Sequence, residues 1–192
     1  MIKKIGVLAL QGGVDEHINA LLDASEKIDE SLQVAEVRSP EDIDGIDGLI
    51  IPGGESTAIS KLMCRAGLFE KVLHIRKIMG TCAGAILLAK HVEGAIPDQR
   101  FLSLMDISIS RNAYGSQTSS FEAVLDTIFG KIKGVFIRAP KFTLLGQEVR
   151  PIAFYMGQPV AAYQAKGDRH FLAFTFHPEL TTTKFHEFFI KL

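Results

Sequence analysis

Ile78-Met79-Gly80-Thr81-Cys82-Ala83-Gly84 runs directly into Ala85-Ile86-Leu87-Leu88-Ala89-Lys90. A very short apolar strand near Ile78 and Met79 thus meets a cysteine flanked by glycines, and an apolar helix from Ala85 to Lys90 follows at once. Glycines permit a strained strand-to-helix turn that pushes the central side chain outward, the form of a nucleophile elbow. A thiol in that place is presented rather than buried, and N–H groups at the helix start stabilise negative charge on sulfur or on an oxyanion. The competing reading is a core cysteine beside a tight turn, because free cysteine is among the most buried residue types. The paired glycines weigh against it.

Toward the amino terminus the same alternation of strand and helix repeats. Ile5 to Leu10 is a short continuous apolar run ended by Gln11-Gly12-Gly13, which suits a parallel strand buried on both faces. Val14, Ile18, Leu21 and Leu22 then fall at helical spacing. Val34 to Val37 and Gly48 to Ile51 supply two further strands, the second entering Pro52-Gly53-Gly54-Glu55-Ser56. The spacing predicts a helix over Ser56 to Arg65, capped by Ser56 or Thr57 and ended at Gly67, and a second helical stretch over Leu68 to Lys77.

Toward the carboxyl terminus the pattern becomes β-rich. Leu102 to Ser110, Gln117 to Val124, Gly134 to Arg138, Ile152 to Met156, Val160 to Ala165 and His170 to Phe176 read as strands, with a hairpin turn at Lys166-Gly167-Asp168-Arg169. Lys141 to Gln147 has no clear assignment. Thr182 to Leu192 closes the chain as a helix, with Phe185, Phe188 and Phe189 placed to dock it onto the sheet. The expectation is a mixed sheet with an antiparallel edge.

Length and composition narrow the classes. At 192 residues with 47% hydrophobic and 22% charged side chains, the chain suffices for one well-buried α/β domain, 1–192. A formal net charge of -1 offers no positive field to gather nucleic acid or an anionic membrane. The Ile5 to Leu10 run is too short for a signal segment or a membrane span. Two cysteines without a C-x-x-C pair indicate neither a disulfide framework nor a metal site, so a cytoplasmic protein without cofactor or metal is expected.

A thiol nucleophile needs a base and a group to orient that base. His177-Pro178-Glu179 follows the apolar strand ending at Phe176, and strand ends are where α/β sheets place their sites. Two-residue spacing in extended chain puts His177 and Glu179 on one face, and Pro178 favours that conformation in the residue before it. A surface His-Pro-Glu turn is the alternative. The Pro52 to Ser56 segment is able to offer close backbone donors to an anion, or it is an ordinary capped loop.

Pro52-Gly53-Gly54-Glu55-Ser56, Gly80-Thr81-Cys82-Ala83-Gly84 and His177-Pro178-Glu179, in this order, resemble the class I (triad) glutamine amidotransferase family. Gly6-Val7-Leu8-Ala9-Leu10-Gln11-Gly12, Ser110-Arg111-Asn112-Ala113-Tyr114-Gly115, Ser120-Phe121-Glu122 and Phe136-Ile137-Arg138-Ala139-Pro140 extend the resemblance to its subfamily of glutaminase subunits of two-protein pyridoxal 5'-phosphate synthases. The resemblance implies a flavodoxin-like, doubly wound α/β fold of the class I glutamine amidotransferase type. It implies Cys82, His177 and Glu179 as the triad. Gly54, Glu55 and Ser56 would line the glutamine site, and Arg111, Ile137 and Arg138 would contact the substrate, a role that suits a guanidinium facing a carboxylate. An ordinary surface or structural ion pair is the alternative for each arginine.

In the reaction so implied, Cys82 attacks the side-chain amide of L-glutamine, N–H groups near Gly53, Gly54 and Ala83 hold the oxyanion, and His177 protonates the leaving ammonia. The ammonia would pass to a separate pyridoxal 5'-phosphate synthase subunit, which family members commonly need for full activity. A cysteine peptidase or chaperone-like relative, and a non-catalytic module with a vestigial site, are the other readings. Glu55 and Arg111 favour an amino acid substrate over the first. Cys64 reads as a packing residue inside a helix, and His17, His74, His91, His170 and His186 have no motif around them.

Overall fold

Leu49, Ile50 and Ile51 expose no surface, and they alternate between two hydrophobic clusters, Leu49 and Ile51 in one and Ile50 in the other. An apolar run without polar interruption is what a strand covered on both faces requires. The computed structural model describes residues 2–111 and 120–192. Its first half runs β1 (Lys3–Leu8), α1 (Val14–Lys27), β2 (Leu32–Val37), β3 (Gly48–Ile51), α2 (Ser56–Arg65), α3 (Leu68–Val72), β4 (Lys77–Thr81) and α4 (Ala83–Leu88). Then come β5 (Ala89–Glu93), β6 (Met105–Ser110), β7 (Ser120–Thr127), β8 (Gly130–Ile137), β9 (Lys141–Leu145), β10 (Val149–Tyr155), β11 (Gln158–Lys166), β12 (Arg169–Phe174) and α5 (Lys184–Lys191).

Among the described residues, nine strands form one sheet in the order β2-β1-β3-β4-β12-β11-β10-β7-β8. The first five are parallel, and their order is that of flavodoxin-like doubly wound folds, in which ligands sit beyond the carboxyl ends of the strands. The other four are antiparallel, so the sheet is mixed as expected. One hydrophobic cluster joins α1 and α5 to one face through Leu21, Ala24, Phe185, Phe189 and Ile190. The other joins α2, α3 and α4 to the opposite face, with a small sheet β5-β6-β9 packed on the same side.

Several boundaries differ from the sequence-based expectation, mostly where pairing between distant strands overrides a local pattern. β1 ends at Leu8 rather than Leu10, α3 ends at Val72, and Lys77 belongs to β4 because it pairs with His170. α4 stops at Leu88: Ala89 is extended, and Ala89–Glu93 pairs with β6 instead of continuing the helix. Lys141–Leu145, unassigned from sequence, is a strand because β6 offers it an edge. The expected strand from Gln117 enters the described residues only at Ser120, and Asn112 to Gly115 lie outside them. Ser56 to Arg65 is helical as expected, but its cap is Glu55, whose carboxylate accepts from the N–H groups of Thr57 at 3.0 Å and Ala58 at 2.6 Å. Cys64 is exposed rather than packed, because it lies off the buried stripe of α2 formed by Ile59, Ser60 and Met63.

Candidate active site

At the end of β4 the chain turns straight into α4, and the strain falls on the cysteine itself. Cys82 has φ 48° and ψ -101°, a left-handed conformation that a non-glycine residue adopts only when its surroundings impose it. The glycines make room for that turn. A Cβ on Gly84 would lie 2.1 Å from the carbonyl oxygen of Ile51, and one on Gly80 would lie 2.5 Å from the carbonyl carbon of Gly84. α4 therefore packs backbone against backbone on the sheet. Cys82 N–H donates to the Phe174 carbonyl at 2.8 Å, which ties the elbow to β12. The side chain is more covered than expected, at 7% exposure, with Sγ 3.9 Å from the Ile137 carbonyl.

β12 delivers the partner residues three and five positions past its end at Phe174. His177 Nδ1 and Glu179 Oε1 are 2.7 Å apart, with side chains 12% and 3% exposed. Gly53 sits against this pair, since a Cβ there would lie 2.5 Å from His177 Cε1 and 3.4 Å from Cys82 Cβ. Burial opposes charge on His177, but hydrogen bonds to Cys82 and Glu179, together with their charges, raise its pKa from the ordinary 6.5 to about 10. Burial likewise opposes charge on Glu179, yet the His17 and His177 imidazoles bring its pKa below the usual carboxylate value. The arrangement favours an imidazolium between two acceptors, as a base-nucleophile pair requires.

The loop after β3 faces this group across a cleft of about 610 Å³. The loop after β1 braces it: Gln11 Oε1 accepts from Glu55 N–H at 2.9 Å, and Gly13 N–H donates to the Gly53 carbonyl at 3.2 Å. The N–H of Gly54 has no hydrogen-bond partner among the described residues. That of Ala83, first in α4, has none within the helix. Arg111 reaches Glu55 at 3.3 Å, with the arginine side chain 16% and the glutamate 53% exposed, and it also donates to Gln99 Oε1 at 3.1 Å. Partial burial works against charge on Glu55, but the two capping N–H groups and Arg111 hold its pKa low. Arg138, exposed and with φ 45°, forms no ion pair among the described residues.

Every site residue expected from sequence lines this cleft except Ala83, which is buried beside Cys82. A larger cavity of about 750 Å³ lies at the opposite strand ends, around Asp47, Lys77 and His170, and no cysteine, serine or threonine lines it among the described residues. Sequence reasoning missed Gln11 as a brace, Glu55 as a cap, and a buried pair of histidines, His17 and His186, behind Glu179. Only the acidic residue before Ser56 carried a readable signal, because carboxylates favour helix starts.

The SNO glutamine amidotransferase family model matches residues 7–192. The chain belongs to that family. Among its relatives, the protein named pyridoxal 5'-phosphate synthase subunit PdxT from Thermococcus onnurineus is 46% identical over 98% of both chains. The PdxT of Oenococcus oeni is 44% identical over 100% of this chain and 97% of its own. A solved structure described as a glutamine amidotransferase superposes with a TM-score of 0.83 at 40% identity, covering 97% of each chain. A GMP synthase-type protein from Thermoplasma acidophilum, 17% identical with a TM-score of 0.63 over 98% of this chain and 91% of its own, shares the fold.

Proposed function

We propose that this SNO-family chain, acting as a single domain, hydrolyses L-glutamine to glutamate and ammonia through Cys82, His177 and Glu179. The ammonia passes to a separate pyridoxal 5'-phosphate synthase subunit. The observation that carries the chemical half is the strained cysteine at a strand end beside a buried imidazole and carboxylate 2.7 Å apart. The partner half rests on full-length relatives named as subunits of that synthase. Cys82 attacks the amide carbon of glutamine, and the tetrahedral oxyanion is held by the N–H groups of Gly54 and Ala83, with Gly53 shaping the pocket. His177 gives its proton to the departing ammonia, then takes one from the water that hydrolyses the glutamyl thioester. Glu179 holds the imidazole in its working orientation throughout.

Arg111 and Arg138 are the cations at the cleft, suited to the α-carboxylate of glutamine; Glu55, Ser56 and Ile137 line the same space. No described helix is long and apolar enough to cross a membrane, and a cytoplasmic setting accords with a subunit that hands ammonia to an enzyme. The test is glutamate release from glutamine, with and without the synthase subunit. Strong release in the complex that disappears in Cys82→Ala is the expected result. Release that survives in Cys82→Ala would refute the triad, and none from the unaltered complex would refute the activity.

A further inference from the structure

On the far side of Glu179 from His177 lies a second pair of imidazoles that the reaction as written does not use. His17 on α1 and His186 on α5 expose no surface. They stand 169 positions apart in sequence, with His17 Nδ1 3.0 Å from His186 Nε2. The other nitrogen of His17, Nε2, is 3.0 Å from Thr81 Oγ1 and 3.6 Å from Glu179 Oε2. Two buried atoms here have no hydrogen-bond partner among the described residues, Glu179 Oε2 and His186 Nδ1.

Those two unpaired atoms select one arrangement of protons. If His17 carried its proton on Nδ1, a lone pair on Nε2 would face the carboxylate and His186 would bury an unpaired N–H donor. With the proton on His17 Nε2, Nδ1 accepts from His186 Nε2–H, and the unpaired His186 Nδ1 is a lone pair, the cheaper group to leave alone. The His186 N–H then points at His17, and the His17 N–H points toward Thr81 and Glu179. We propose that His17 is a positioning residue of the amidase: its Nε2–H, oriented by His186 and hydrogen-bonded to Thr81 Oγ1, turns the positive end of the ring dipole toward Glu179 Oε2 at 3.6 Å and so favours the carboxylate orientation that aims His177 at Cys82. Because Thr81 directly precedes Cys82, one ring ties the elbow to the group that orients its base. Burial supports the assignment by keeping both imidazoles uncharged: it lowers the pKa of His17 against the pull of Glu179, and burial with His17 lowers His186 to about 3.

The proposal rests on the triad reading, so the experiment separates the two. In complex with the synthase subunit, His17→Phe keeps a ring but removes the donor, and is expected to lower kcat for glutamate release roughly 10- to 100-fold, with KM for glutamine changed less than about twofold. His17→Gln, which restores a side-chain N–H, should recover much of that loss. A kcat in His17→Phe above about half the unaltered value, or no recovery in His17→Gln, overturns the proposal. Nitrogen-proton correlation spectra of the unaltered protein provide a readout independent of any variant's stability: Nε2–H at His17 is expected, and Nδ1–H or a doubly protonated ring overturns the proposal. Failure of a glutamine-mimicking diazo ketone to label Cys82 in the unaltered complex would sink the triad reading itself. Normal labelling there with slowed labelling in His17→Phe is the outcome expected here.

Discussion

The two walls of the cleft are built differently. The wall carrying Cys82, His177 and Glu179 hangs from the central strands β4 and β12, whose residues are almost all fully covered, and its key contact is 2.7 Å between groups 12% and 3% exposed. The wall carrying Glu55, Arg111 and Arg138 comes from loops, with a 3.3 Å ion pair whose glutamate is about half exposed. Electrostatic interactions on the first wall act in low dielectric and cost little reorganisation; those on the second are screened. Chemistry is thus placed where the sheet sets geometry, and recognition where water and substrate compete for the same groups.

The largest effect expected is on the covered wall. Glu179→Gln keeps the shape but loses the anion that orients His177, and kcat for glutamate release should fall on the order of 10²- to 10⁴-fold, with KM nearly unchanged; a drop below tenfold would erase the contrast between the walls. On the open wall, Arg111→Ala should instead raise KM for glutamine about tenfold, the value of one charge-assisted hydrogen bond, with a smaller change in kcat. Equal losses in both constants would show that Arg111 belongs to the reacting machinery.

The pH dependence of stability sharpens the same comparison. His177 is raised from 6.5 to about 10 in the folded protein. Its charged pairing therefore contributes stability that is fully present below pH 6.5 and is lost as pH rises through about 10. Melting temperature should fall across that window, and His177→Gln should lack that component of the fall; identical profiles would contradict the charged pair. The smallest effect is expected away from the cleft, at the exposed Arg100–Glu70 pair. Glu70→Ala should leave the midpoint of a denaturant titration essentially unchanged, and a clear shift would show that exposure is a poor guide to strength here.

Much of this arrangement could be read along the chain because its signals are local. The Ser56 to Arg65 helix has the expected ends, the Lys166 to Arg169 turn joins β11 and β12, and the turn at Cys82 joins a strand to a helix. The departures share a cause. Ala89 to Lys90 continues an apolar helical pattern and Lys141 to Leu145 looks irregular, yet both pair with β6, and no local pattern reports an available edge. Cys64 departs from its expected packing because its exposure depends on how α2 rotates onto the sheet, and Ser56 lost the cap because the Glu55 carboxylate reaches two N–H groups at once.

By itself the sequence determined the α/β class with a mixed sheet, the cysteine elbow and the His-Pro-Glu segment, because these follow from hydrophobic period, glycine placement and two-residue spacing within short stretches; the doubly wound order was implied only by the family resemblance. Only the tertiary structure decided that β4 and β12 are neighbours, that Arg111 meets Glu55, and that His17 and His186 meet behind Glu179. Those contacts join residues far apart in the chain, and they exist only once the sheet order and the helix faces buried against it are fixed.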